Sequence, residues 1–244
     1  MMKEFPMNFN YIDIGASGGI DPKWNCHIDY KNSNLILVEP DFLESEKLRA
    51  MYPLAQIIPF ALGSENKKAS LHVTAFQKCS SILEPNFEIL KRFPVKKLFK
   101  VLRQIEIDLF PFAYFADTLN IENVDFVKID VQGFEQEVLE GFGNILNKVL
   151  CIKLETHLLP IYKNQKTFTY INEFLQEKGF YLRHLESVGA FEGEVVEFDA
   201  YFIKKPELIS SEIERNKIDF WVSVEDLPKG FFFSECEHLL EIKE

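Results

Sequence analysis

Tyr11-Ile12-Asp13-Ile14-Gly15-Ala16-Ser17-Gly18-Gly19 is an apolar strand that runs through an acid into a glycine-rich turn. Glycine reaches positive φ and lets backbone N–H groups approach a ligand closely. Asp21-Pro22 follows, an N-cap and first-turn proline for a helix. The stretch is not a dinucleotide fingerprint, because G-x-G-x-x-G needs glycine where Ser17 stands. A carboxylate at Asp13 would repel a pyrophosphate but suits an amino group or a sulfonium.

Working outward, short apolar runs alternate with amphipathic stretches, the pattern of an α/β sheet. Buried parallel strands are expected at 11–14, 35–38, 56–60, 125–129 and 149–154, and helices at 43–51, 135–146 and 168–178. Residues 69–76 alternate as an added antiparallel strand, and 180–185 with 198–203 read as a closing antiparallel pair around a Gly-punctuated acidic loop. A parallel sheet finished by an antiparallel edge is a mixed doubly wound fold. Two segments break the rhythm. Residues 91–103 hold six bases and no acid, and Val95, Leu98, Phe99 and Leu102 have the spacing of a short amphipathic helix. From Pro206 the chain carries ten acids and four bases, with apolar knots at Phe220-Trp221-Val222 and Phe231-Phe232-Phe233. We therefore divide the chain into a domain at 1–205 and an acidic C-terminal appendage at 206–244, which packs on the main domain or on a second copy in a homo-oligomer.

Two more motifs sit where open α/β sheets meet ligands. Val38-Glu39-Pro40-Asp41 ends the second strand, and an acid at that tip accepts hydrogen bonds from both ribose hydroxyls of an adenosyl ligand or NAD. Asp130, in Lys128-Ile129-Asp130-Val131-Gln132-Gly133-Phe134-Glu135, ends a central strand. Glu135 and Glu137 read as first-turn acids that complement the helix dipole. The Glu155-Thr156-His157 cluster follows the next strand. Asp130, Glu155 and His157 are the candidates for a general base, His157 having an unperturbed pKa near 6.5. Asp130 with Glu155 or His157 also leaves a divalent cation open.

Asp13-Ile14-Gly15-Ala16-Ser17-Gly18-Gly19, Val38-Glu39-Pro40-Asp41, Ala61-Leu62-Gly63, Cys79-Ser80-Ser81-Ile82-Leu83 and the 128–135 motif, in that order, resemble FkbM-type S-adenosylmethionine-dependent methyltransferases. The resemblance covers about 9–204. It implies the Rossmann-like class I methyltransferase sheet of seven strands, S-adenosylmethionine as cofactor, and O-methylation of sugar hydroxyls in polysaccharides, glycolipids or glycosylated metabolites. It places the backbone of Gly15, Ala16, Ser17 and Gly18 against the cofactor's amino-acid part, with Asp13 and Asp130 nearby. Glu39 takes the ribose, Asp41, Ala61 and Leu62 border the adenine, Ser81 closes over the site, and Pro40 is counted among the cofactor-binding residues. Gln132 stands where the family usually has an acid, and Gln132 can be neither a base nor a strong ligand for a hard cation.

Composition bounds the alternatives. A formal charge of -11 on 244 residues argues against nucleic acid as the main partner. The first residues lack a signal peptide's apolar core and no apolar run spans a membrane, so a cytoplasmic protein with reduced, buried cysteines (Cys26, Cys79, Cys151, Cys236) is expected. The basic 91–103 stretch is either a solvated face or a lid steering an anionic or lipid-linked acceptor. The rival readings are a nicotinamide-dependent sugar oxidoreductase or epimerase, which lacks its Tyr-x-x-x-Lys pair here, and a non-catalytic cofactor-binding module of a glycan biosynthesis complex.

Overall fold

A computed structural model describes residues 8–188 and 191–228. Phe231–Phe233 and Cys236 of the tail lie outside the described residues.

In chain order the strands are β1 (Asn10–Ile14), β2 (Asn34–Val38), β3 (Gln56–Ile58), β4 (Ala61–Leu62), β5 (Lys67–Thr74), β6 (Val101–Phe110), β7 (Phe126–Ile129), β8 (Cys151–His157), β9 (Phe180–Ser187) and β10 (Glu197–Lys204). The helices are α1 (Pro22–Asn25), α2 (Phe42–Met51), α3 (Phe87–Leu90), α4 (Phe112–Leu119), α5 (Glu135–Gly141), α6 (Phe168–Glu177) and α7 (Glu212–Val224). The main sheet has the order β3-β2-β1-β7-β8-β10-β9. Only β10 is reversed, pairing antiparallel with both β8 and β9. This is the seven-stranded, Rossmann-like class I methyltransferase sheet that the motifs imply. The order reverses between β1 and β7, so the carboxyl ends of those two strands form the crevice.

Both faces of the sheet are covered, and its central strands β1, β2 and β7 are apolar at most positions. Ile12, Ile14, Val127, Ile129, Ile152 and Leu154 share one core with Val138 and Leu139 of α5 and Ile171 and Leu175 of α6. Tyr11, Leu35, Leu37, Phe126 and Tyr201 meet Trp24 of α1 and Ile218, Trp221 and Val222 of α7 on the other. Residues 206–228 thus lie on the sheet. Glu225, just past α7, is buried and accepts from Trp24 Nε1 at 2.7 Å.

Several expectations need correction. The stretch 95–102 is not a helix: Pro94–Lys97 forms one 3-10 turn, and β6 begins at Val101. Pairing of β6 with β5 overrides the local period, leaving Leu102 exposed while Phe99 is buried. The alternation of Ile105, Ile107 and Leu109 is the signal for this strand. β5 lies where the alternation puts it but belongs to a separate β4-β6-β5 sheet. The helix expected at 135–146 stops at Gly141, and Gly143–Lys148 continues as a 3-10 turn. Cys79 and Cys151 are buried free thiols, whereas Cys26 is exposed.

Candidate functional site

The turn after β1 is built around one contact. Gly15 has φ +83°, and a Cβ there would lie 1.9 Å from the carbonyl oxygen of Asp130. Only glycine lets the β1 turn lie against the end of β7, an approach tied by Asp130 N–H donating to Ile14 O at 2.9 Å. The N–H groups of Gly15 and Ala16 both donate to Val38 O, at 3.0 and 3.1 Å, so they are not free to hold a cofactor as expected. Ser17 and Gly18 differ: among the described residues their amides have no protein acceptor. Gly18, at φ +85°, has open space where a side chain would be. Asp13 is buried and turned to Lys128, whose Nζ lies 3.0 Å from Oδ1. Burial raises the Asp13 carboxyl and Lys128 opposes that rise. Burial would lower Lys128, but Asp13 and Asp130 outweigh it and hold the ammonium above its ordinary range. Asp13 therefore anchors Lys128, and its side chain is not a free ligand.

At the tip of β2, Glu39 is 7% exposed and its Oε1 accepts from Asp41 N–H at 2.8 Å. Burial pushes its carboxyl up to about 7. Pro40 is half-buried. Asp41 caps α2, accepting from Leu43 and Glu44 N–H at 2.9 and 3.1 Å. Ala61 and Leu62 are buried in the main core, where β4 pairs with β6.

The β7–α5 loop holds the densest network. Gln132 takes a positive φ of 57°, a conformation that costs a non-glycine residue roughly 1–2 kcal/mol. Its neighbours hold it there. Ser81 Oγ donates to Gln132 O at 2.7 Å and Tyr162 Oη donates to Gln132 Oε1 at 2.8 Å. Gln132 Nε2 in turn donates to Asp130 Oδ1 at 3.0 Å and to Glu155 Oε1. Asp130 is partly exposed, with Oδ2 3.8 Å from Lys128 Nζ. Ser81 is thus a latch on the loop and is itself buried.

Glu135, read from sequence as a helix-dipole acid, is fully buried, and its Oε1 accepts from Gly133 N–H at 2.8 Å. Burial pushes the carboxyl up to about 8, against its backbone hydrogen bonds. The folded chain therefore keeps this proton to about 8, whereas the unfolded carboxyl loses it near 4.5. Between those values the folded state binds more protons, so stability falls as pH rises. Urea unfolding from pH 5 to 8 should show this decline, flattened in Glu135→Gln; equal pH dependence in the two proteins would refute it.

On β8 and β10, Glu155, His157 and Glu197 come together. Burial first, then Asp130, Glu197 and Asp199, hold the Glu155 carboxyl well above the usual carboxylate range. His157 is fully buried, its Nδ1 2.7 Å from Gln165 Nε2. Gln165 Oε1 accepts from Tyr162 N–H at 3.2 Å, which makes Gln165 Nε2 the donor to Nδ1. The neutral ring then carries its proton on Nε2 and offers no free lone pair to the crevice. Of the three candidate bases His157 is fully buried, whereas Asp130 and Glu155 are both half-buried, the Asp130 side chain being 34% exposed. Sequence reading missed Gln165, Tyr162 and Glu197; no local pattern marks them, since each matters through a partner 8 to 40 residues away.

The family model for the Methyltransferase FkbM domain matches residues 13–182, from β1 into β9. The chain belongs to the FkbM methyltransferase family. No curated protein matches it. Among solved structures it is similar to a TehB-like SAM-dependent methyltransferase from Corynebacterium glutamicum ATCC 13032 (13% identity, 82% of this chain and 83% of that chain, TM-score 0.39). It is also similar to a precorrin-6y C5,15-methyltransferase from Geobacter metallireducens GS-15 (13%, 81% and 81%, TM-score 0.37). A third is the 1,6-didemethyltoxoflavin-N1-methyltransferase of Burkholderia thailandensis (10%, 82% and 72%, TM-score 0.40). Membership in the FkbM family makes S-adenosylmethionine the cofactor, and the crevice residues fit it. The Ser17 and Gly18 amides, which have no protein acceptor among the described residues, and the open space at Gly18 would suit its amino-acid part, and Glu39 at the tip of β2 would suit a ribose diol.

Proposed function

We propose that this FkbM-family chain is an O-methyltransferase acting on a hydroxyl of a sugar, in a surface glycan or a glycosylated metabolite. The observation that carries the reading is Asp130: a partly exposed carboxylate beside the β1 turn, its Oδ1 held by Gln132 and its Oδ2 facing Lys128. When bound, the sulfonium cofactor supplies an electrophilic methyl group. The chain's part is to hold the acceptor oxygen in line, exclude water and remove the hydroxyl proton. Asp130 Oδ2 takes that proton, with Lys128 Nζ 3.8 Å away. Gln132, fixed by Ser81 and Tyr162, aims Asp130. Ser17, Gly18 and Glu39 hold the cofactor, with Pro40 and Asp41 setting the turn. The test is acceptor-dependent release of S-adenosylhomocysteine. Saccharides and nucleotide sugars should support release; release only with amine or nucleic-acid acceptors would overturn the reading.

The acceptor is further proposed to be anionic, free or lipid-linked. Phe99 packs on Tyr162, with ring centroids 5.9 Å apart, which places the basic segment one side chain from Gln132. Lys96, Lys97 and Lys100 are exposed and have no acidic partner among the described residues, whereas Lys91 and Arg92 pair with Glu88 and Glu194. Replacing the three lysines by Gln should raise the acceptor's KM several-fold at low salt and less at high salt. An unchanged KM would remove this part of the proposal. Residues 206–244 are proposed as an acidic appendage carried by α7. No described helix is long and apolar enough to cross a membrane.

A further inference from the structure

We propose that Glu155, His157 and Glu197 form a binding site for one divalent transition-metal cation, of the Mn²⁺, Co²⁺ or Zn²⁺ kind. Residues two apart on a strand share a face, so β8 sends Glu155 and His157 the same way. The antiparallel register pairs Glu197 of β10 with His157, bringing the third group in from a different strand. One oxygen from each carboxyl group and a ring nitrogen lie within 4.8 Å of one another. Two carboxylates and a neutral imidazole balance a dication, and a mixed N,O set suits these metals.

An independent observation points the same way. His157 is fully buried and its Nε2 makes no hydrogen bond. It lies 3.4 Å from Glu197 Oε1, within ion-pair range but too long for a bond to a neutral ring. A buried polar atom left so is costly, and a cation at the centre of the cluster would satisfy it.

Loading has a structural requirement. Nε2 must offer its lone pair, so the proton moves to Nδ1 and the Gln165 amide turns its carbonyl to receive it. The cost is the long Tyr162 N–H bond to Gln165 Oε1, 3.2 Å. Metal-bound histidines ordinarily donate their other N–H to such an outer acceptor. A glutamate at position 165 would accept from both Nδ1–H and Tyr162 N–H. Because Gln132 Nε2 bridges Glu155 and Asp130, the cation would sit one side chain from the proposed base. That link to catalysis rests on the methyl-transfer reading; the cation site does not.

The test is titration of the full chain with Mn²⁺ alone, followed by loss of the free-ion electron paramagnetic resonance signal and by calorimetry. Co²⁺ is the spectroscopic probe, and Zn²⁺ is titrated by calorimetry in the same way. The expected result is one saturable site per chain, weakened at least about tenfold in Glu197→Gln and tightened in Gln165→Glu. Because the wild-type titration stands alone, a variant that fails to fold leaves the test intact. The absence of saturable binding by all three cations overturns the proposal. So does equal affinity in a folded Glu197→Gln variant. S-adenosylhomocysteine binding, measured in parallel, reports separately on the cofactor site.

Discussion

Replacing Glu39 by alanine is expected to weaken S-adenosylhomocysteine binding about a hundredfold while the fold stays intact. A hydrogen bond to a charged acceptor contributes about 1.5–3 kcal/mol, and a ribose diol can make two to one carboxylate. Losing them together with some compensation by water corresponds to a factor of roughly 10² in Kd. Within the protein, Glu39 gives up only its bond from Asp41 N–H, and Asp41 continues to cap α2. Melting should therefore move little. Burial also holds the carboxyl near 7, so the free protein retains that proton at lower pH. The diol needs the ionised acceptor, and affinity should fall as pH drops through about 7, approaching tenfold per unit below it. Calorimetry between pH 5.5 and 8 checks both points. A flat pH profile, or an alanine variant that binds as the wild type does, would remove Glu39 from the ribose.

Asp130→Asn is expected to lower kcat about 10²–10⁴-fold, the range of a lost general base, with cofactor affinity changed only a few-fold. Asparagine keeps an Oδ1 for Gln132 Nε2 and keeps the backbone contact with the β1 turn, so the crevice should hold its shape. What is lost is the anionic oxygen facing Lys128 and the acceptor. Single-turnover rates separate this from binding. An unchanged kcat would pass the role to Glu155, which shares the Gln132 amide with Asp130.

The main sheet was legible in the sequence because its central strands β1, β2 and β7 are mostly buried apolar residues, and such runs carry their own signal. The β4-β6-β5 sheet was not: β6 is half exposed along its length, and a basic segment with helical spacing at its start masked the alternation behind it. At the site, the end of β7 and the tip of β2 were legible from Asp130 and Glu39, since strand ends in open sheets meet ligands whatever surrounds them. What each glycine does was only partly so. Gly15 serves a backbone contact with Asp130, while Gly18 leaves the open space. The Gln132 network could not be read locally, because Ser81, Tyr162 and Glu155 lie 51, 30 and 23 residues from it in the chain. Glu135 does lie in the first turn of α5, as its local pattern has it, but its burial was not legible. The helix-dipole pattern fits it locally, but burial turns its carboxyl back onto the loop.

The most direct test of the central claim is thermal unfolding of the intact chain with S-adenosylhomocysteine, beside NAD. A ligand that binds only the native state at about 100 times its Kd adds about 2.7 kcal/mol, a shift of several degrees for a chain of this size. The account requires that shift with S-adenosylhomocysteine and none with NAD. A shift with NAD alone would contradict it and return Asp13 and Glu39 to a nicotinamide enzyme.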